Sequence, residues 1–242
     1  MHCNPVIVVD DLLKKYKNVH VCCNIIDYKE NDISEVWPDA DIEVMSWYDD
    51  ASNGYKKLSI NEYCNFKDGF KDTKKTQDFV FGYALTWKDR KYLSDFVRAN
   101  VVEDSMHKLF VKDAYWNGEK RDNTIPHDEY KAELAKTKYT LLAPSTVASE
   151  FSIGRFNEAV IRKCLPIFMP EVKYERGFEH DKEMCKFIKD NLTFSDKYKS
   201  IADFISKHDY DKLVKELYSL SFMKKHIDGK RHAADLVKQI GL

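Results

Sequence analysis

From Phe79 to Met169 the chain alternates short runs of β-branched and aromatic residues with stretches of helical periodicity. No other feature constrains the fold as strongly, because parallel strands need crossover connections and a helix is the usual crossover. The pattern predicts strands at Phe79–Gly82, Lys108–Val111, Tyr139–Leu142 and Leu165–Met169. It predicts helices at Trp87–Asn100, Glu129–Thr137, Arg155–Lys163 and Met184–Asn191. Strand, helix, strand, long loop, helix, strand, loop, helix, strand is the rhythm of a doubly wound nucleotide-binding domain. The fold class expected is α/β with a mainly parallel sheet.

Ahead of this region only three strands are expected, at Val6–Val9, Val19–Ile26 and Ile42–Trp47, too few for a second full domain of the same type. The stretch Asp49–Lys75 is polar, carries Gly54 and Gly69, and reads as a connection. The chain is therefore divided into a reduced N-terminal α/β unit, 1–72, and a larger Rossmann-like domain with C-terminal helices, 73–242. In the tail from Asp209 to Ile240, Leu213, Leu217, Leu220, Ala233, Leu236, Val237 and Ile240 recur at helical spacing. Lys224, Lys225, Lys230 and Arg231 lie between them, either as a solvated basic face or as a contact for nucleic acid or phosphate.

Composition excludes several classes. Lys+Arg 39 against Asp+Glu 40 leaves a net charge of −1, so the whole chain is not a polycation that holds nucleic acid by bulk charge. Aromatic residues make up 13% of the chain, enough for a sizeable core. No apolar run approaches the roughly 20 residues of a membrane-spanning helix, and Met1–Asp11 lacks a charged n-region, so a soluble cytoplasmic protein is expected. The six cysteines show no C-x-x-C pair, and reduced thiols follow. The histidines lack ligand spacing, so no metal site is expected; His127, next to Pro126, reads as the start of a helix.

The segment Lys138–Pro170 carries the chemistry. A strand ends at Pro144-Ser145, a loop of small and hydroxyl residues follows, and Arg155-Phe156-Asn157-Glu158-Ala159 opens a helix that leads through Cys164 into Leu165–Phe168. A helix N-terminus near Gly154 offers unpaired N–H groups and partial positive charge to a diphosphate. Arg155 adds a planar donor fork for phosphate oxygens, and Glu158 can accept two hydrogen bonds from a ribose diol. Blander readings stand beside these. Glu158 also fits a first-turn acid facing the helix dipole, Arg155 a partner for a nearby carboxylate, Thr86 a helix N-cap and Lys88 a solvated side chain. Cys164 reads as a small buried hydrophobe. Asp10 and Asp11, at the end of a strand, are either a candidate base or a solvated turn.

The run Arg155-Phe156-x-Glu158-Ala159, continued by Cys164-x-Pro166-Ile167-Phe168, resembles the donor-site helix and following strand of glycosyltransferases with the GT-B fold, including exostosin-like and phage-type enzymes. A second segment, Phe81-Gly82-Tyr83-Ala84-Leu85-Thr86-Trp87-Lys88, is similar to the loop facing the donor diphosphate in retaining members of that class. Tyr83 and Asp89 stand where that loop often has Arg and Gly. The nearest resemblance is to phage DNA glucosyltransferases acting on hydroxymethylated cytosine, and it covers about the last two-thirds of the chain.

The resemblance implies a GT-B-like enzyme that moves a sugar from a nucleoside-diphosphate sugar, such as UDP-glucose, to a hydroxyl acceptor, with a hydroxymethylated pyrimidine in DNA as the first choice. A saccharide or glycolipid acceptor is the alternative, as is a catalytically inactive nucleotide-sugar-binding partner subunit. It implies catalytic roles for Arg155 and Lys88, donor contacts from Gly82, Thr86, Arg90, Ser145, Gly154 and Glu158, and no cofactor or metal. The short N-terminal unit further suggests that a homodimer or a second subunit completes the cleft. A DNA-binding accessory role through Lys224–Arg231 is a third reading.

Overall fold

The computed structural model describes residues 20–24, 41–46, 56–57, 73–84, 91–116, 118–143, 153–175, 178 and 181–226 of the chain. The chain divides into two units, Met1–Asn61 and Glu62–Leu242. In the first, β1 (His20–Asn24), β2 (Asp41–Ser46) and β3 (Lys56–Lys57) form a parallel sheet in the order β1-β2-β3. His20 stands level with Asp41 and Met45 with Lys56. The first two strands overlap those expected at Val19–Ile26 and Ile42–Trp47. The third lies within the stretch read as a connection, since two lysines carry no strand signal. The strand expected at Val6–Val9 lies outside the described residues.

The second unit runs β4 (Gln77–Ala84), α1 (Lys91–Asn100), β5 (His107–Trp116), β6 (Glu119–Asp122), α2 (His127–Lys136), β7 (Thr137–Leu142), α3 (Ile153–Val160) and β8 (Leu165–Phe168). It continues with α4 (Lys182–Phe187), a π-helical turn (Ile188–Leu192), α5 (Ile201–Ser206), α6 (Tyr210–Ser219) and α7 (Ser221–His226). The five strands form one sheet in the order β6-β5-β4-β7-β8, in which only β6 is antiparallel to its neighbour. This is an α/β architecture with a mostly parallel sheet flanked by helices.

Burial on both faces explains the sequence of the central strand. Phe79, Val80 and Phe81 are consecutive and all buried, because the pleat sends alternate side chains into two separate layers. Phe79 and Phe81 join Leu93 and Val97 of α1, Phe204 of α5, and Leu213 and Leu217 of α6. Val80 joins Tyr130 and Leu134 of α2 with Ala159 and Cys164. Fully burying a side chain of this size contributes about 1.5–3 kcal/mol. Pro166 is tolerated in β8, whose only strand partner among the described residues is β7.

Several boundaries differ from expectation for identifiable reasons. Helix α3 stops at Val160 rather than Lys163, since Lys163 takes the left-handed conformation (φ 52). There the Lys163 N–H donates to the Val160 carbonyl and the Cys164 N–H to that of Ala159, a Schellman-type end. The loop expected after β5 instead holds β6, joined through Gly118 (φ 82). Residues Glu119–Asp122 have no apolar alternation to betray a strand; Asn123 fastens the hairpin, its side chain accepting from Val111 N–H and donating to the Leu109 carbonyl. Short α5, capped by Ser200, was not expected, and the tail helix breaks at Leu220, which is extended. Leu213, Leu217 and Leu220 are buried as their spacing predicts, whereas Lys230 and Arg231 lie outside the described residues.

Candidate functional site

The chain leaves β4 for β5 on one side, then returns to place β7 on the other side of β4. Strand order therefore reverses between β4 and β7, and the crevice outside their carboxyl ends is where open α/β sheets bind ligands. A narrow recess of about 20 Å³, room for a single water, lies there between Gly82 and Tyr83 of β4, Thr140–Leu142 of β7, Tyr130 of α2, and Arg155 and Glu158 of α3. Beside it lies a cleft of about 230 Å³ that shares Gly82, Tyr83, Tyr130 and Arg155 and adds Phe110, Thr124, Ile125 and His127. Arg155, Glu158 and Gly82, selected from the sequence, thus meet in one place.

Arg155 is held by aromatic rings. Its guanidinium carbon lies 5.6 Å from the centre of the Tyr83 ring and 5.8 Å from that of Tyr130, within cation–π range. Among the described residues no carboxylate stands at ion-pair distance from it, so the alternative of a neighbouring acid as its partner finds no counterpart there. Burial pushes the Tyr130 phenol up to about 12, against the opposing effects of its contact with the Thr140 hydroxyl (3.3 Å), the Arg155 charge and the Gly82 backbone. Tyr130 therefore stays neutral near pH 7 and leaves the positive charge of Arg155 uncancelled.

Glu158 sits in the second turn of α3, whose first turn carries no acid, which removes the helix-dipole explanation. His127 Nε2 donates to its Oε1 at 2.7 Å, while Oε2 is buried and has no hydrogen-bond partner among the described residues. The pairing joins residues 31 apart. Local sequence cannot reveal it, and His127 is the functional candidate that a residue-by-residue reading missed. His127 does open α2, preceded by Pro126, as expected.

The far ends of the two helices are tied to one cation. Lys75 Nζ donates to the Ala135 carbonyl at 2.9 Å and to the Arg162 carbonyl at 2.7 Å, at the ends of α2 and α3. A lysine on these carbonyls meets the negative end of each helix dipole. The Tyr218 and Tyr210 hydroxyls donate to the Val160 and Lys163 carbonyls. Phe156 packs edge-on against Phe178 (4.9 Å), which packs against Phe222 (5.1 Å), so α3 is anchored to the C-terminal helices as well.

Gly82 has a packing reason of its own: a Cβ there would stand 2.6 Å from Tyr130 Cε2. Gly154 lies in the first turn of α3. Lys88, Thr86, Arg90, Ser145, Asp10 and Asp11 lie outside the described residues. Cys164 is free and fully buried, and burial pushes its thiol up to about 12, which suits a small hydrophobe and not a nucleophile. Among the described residues no group of three or more His, Cys, Asp and Glu is arranged to hold a metal ion, and no helix is long and apolar enough to cross a membrane.

The arrangement offers a fixed cation, a carboxylate with an unused acceptor and an apolar floor, at the position where this class of sheet takes nucleotides. No protein-family model matches the chain, and no curated protein matches it either.

Proposed function

We propose that the chain is a GT-B-type glycosyltransferase, transferring a sugar from a nucleoside-diphosphate sugar to a hydroxyl acceptor. The observation that carries this reading is the emergence of Arg155 and Glu158 from one helix into one recess, at the carboxyl ends of β4 and β7 where strand order reverses. A diphosphate leaving group gains negative charge as the glycosidic bond breaks, and a guanidinium beside it stabilises that charge without a metal. A ribose diol donates to a carboxylate, which suits the unpartnered oxygen of Glu158. The sequence resemblance to phage DNA glucosyltransferases supports a hydroxymethylated pyrimidine as acceptor. Lys88, Thr86, Arg90 and Ser145 would complete the donor contacts, and Asp10 or Asp11 would supply the base. A second subunit or a second copy would extend the short acceptor side.

The test is in two steps. A panel of nucleoside-diphosphate sugars is first screened by thermal shift. The true donor at a hundred times its dissociation constant stabilises by about 2.7 kcal/mol. That donor is then incubated with hydroxymethylated DNA, unmodified DNA and simple saccharides while nucleotide release is followed. Release that depends on hydroxymethylated DNA is the expected result. Binding without release on any acceptor would leave a nucleotide-sugar-binding subunit, and no binding by any donor would overturn the reading.

A further inference from the structure

We infer that His127 is a positioning residue of this site: it keeps Glu158 apart from Arg155, so that the carboxylate stays available for the vicinal hydroxyls of a ribonucleotide. The inference rests on the proposed nucleotide-sugar reading and adds to it a residue and a selectivity.

Arg155 and Glu158 are three residues apart on α3, a spacing at which opposite charges ordinarily pair across one turn. Here they do not. The guanidinium lies over the rings of Tyr83 and Tyr130, and the carboxylate turns to His127 on the neighbouring helix. An ionised carboxylate only accepts hydrogen bonds, so Nε2 of His127 must carry the proton and donate it to Oε1. Arg162, also on the Glu158 side, donates to the Glu158 backbone carbonyl at 2.9 Å. Tyr130 directs its hydroxyl to Thr140. Among the described residues His127 is thus the side chain that orients this carboxylate.

The consequence is a separation of tasks. With Oε1 engaged, the plane of the carboxylate is set, and the buried Oε2, beside a recess with room for a single water, is left for one ligand hydroxyl small enough to enter it. Release of His127 frees Glu158 to fold back on Arg155, cancelling the acceptor that a diol needs and the cation that a phosphate needs. Pre-orientation of this kind lowers the entropy lost when the ligand binds. His127 is more than half exposed, at 57%, and lines the outer cleft, so replacing it leaves the core untouched.

The experiment measures dissociation constants for uridine, adenosine, guanosine and cytidine diphosphate, each against its 2′-deoxy counterpart. Wild-type protein, His127→Ala and His127→Gln are compared. For the preferred base, wild type is expected to bind the ribonucleotide about tenfold tighter than the deoxy form, the scale of one hydrogen bond to a charged group. In His127→Ala that ratio falls to about twofold or less. In His127→Gln, whose amide can donate to the same oxygen, it is restored at least in part. A ratio unchanged in His127→Ala, whether or not both affinities drop together, overturns the inference and leaves the proposed function standing. Equal binding of ribo and deoxy forms by wild type also overturns it. Wild-type protein that binds none of the four diphosphates overturns the functional reading and this inference with it.

Discussion

The ring of Tyr130 lies on the backbone of Gly82, so that a Cβ added to Gly82 would meet Cε2 at 2.6 Å and Cδ2 at 2.8 Å. Tyr130 is buried and packed into the layer formed by Val80, Leu134, Ala159 and Cys164, which leaves the ring little room to retreat. Gly82→Ala is therefore expected to lower stability by about 1–3 kcal/mol, the usual cost of overfilling a packed site. Tyr130→Ala in the same chain removes the clash, so the double variant should lose less stability than the sum of the two single losses. Urea unfolding of the wild type, both single variants and the double variant measures the coupling. Strict additivity would mean that the ring does not press on this glycine.

Arg155→Ala is expected to reduce donor-dependent nucleotide release about a hundredfold or more, the scale of losing one preorganised donor to developing charge. Because Arg155 is only partly buried, the variant should keep a melting temperature within a few degrees of wild type. Arg155→Lys keeps the charge but loses the planar fork, and should recover only part of the rate. An unchanged rate in Arg155→Ala would remove this residue from the chemistry.

Stability should be flat through neutral pH and fall in alkali. Burial pushes the Cys164 thiol from 9.0 to about 12 and the Tyr130 phenol from 10.0 to about 12. Burial drives the Tyr139 and Tyr210 phenols upward too. Each group is neutral when protonated, and folding raises its pKa, so its contribution is complete below the unfolded value. It is lost as pH rises towards the folded value. Each such group removes on the order of 1 kcal/mol per pH unit above its unfolded value, from about pH 9 for the Cys164 thiol and from about pH 10 for the phenols. Urea midpoints at pH 7, 8, 9 and 10 would show the break, and Cys164→Ala should soften the fall between pH 9 and 10.

Lys75→Met is expected to destabilise by about 1–3 kcal/mol, since it strips a cation from the terminal carbonyls of both α2 and α3. Donor affinity should fall in the same variant, because these helices carry His127, Arg155 and Glu158. Isothermal titration alongside urea unfolding separates the two effects.

The sheet was legible in the sequence where burial forces a pattern. Leu165–Phe168 reads as a strand because all four residues are buried, and Phe79–Phe81 because both faces of β4 are covered. The charged edge strand Glu119–Asp122 was not, because its pairing depends on the neighbouring strand and not on its own side chains. Within the site, Arg155 and Glu158 were legible together because one helix carries both. His127 was read only as the start of a helix, since the fold alone brings α2 beside α3. Tyr83 was noted only as a departure from a motif, yet its ring is one of the two that support Arg155.

The edge strand β6 reads Glu119-Lys120-Arg121-Asp122, and β5 is its strand partner among the described residues. This charge order reads the same in both directions. A second copy laid antiparallel against it, centred on the same four residues, would set Glu119 against Asp122 and Lys120 against Arg121. Acid would face acid and base would face base, an opposition that destabilises a ladder. In that register the hairpin is an electrostatic end-stop, disfavouring the pairing of this border of the sheet with its own kind.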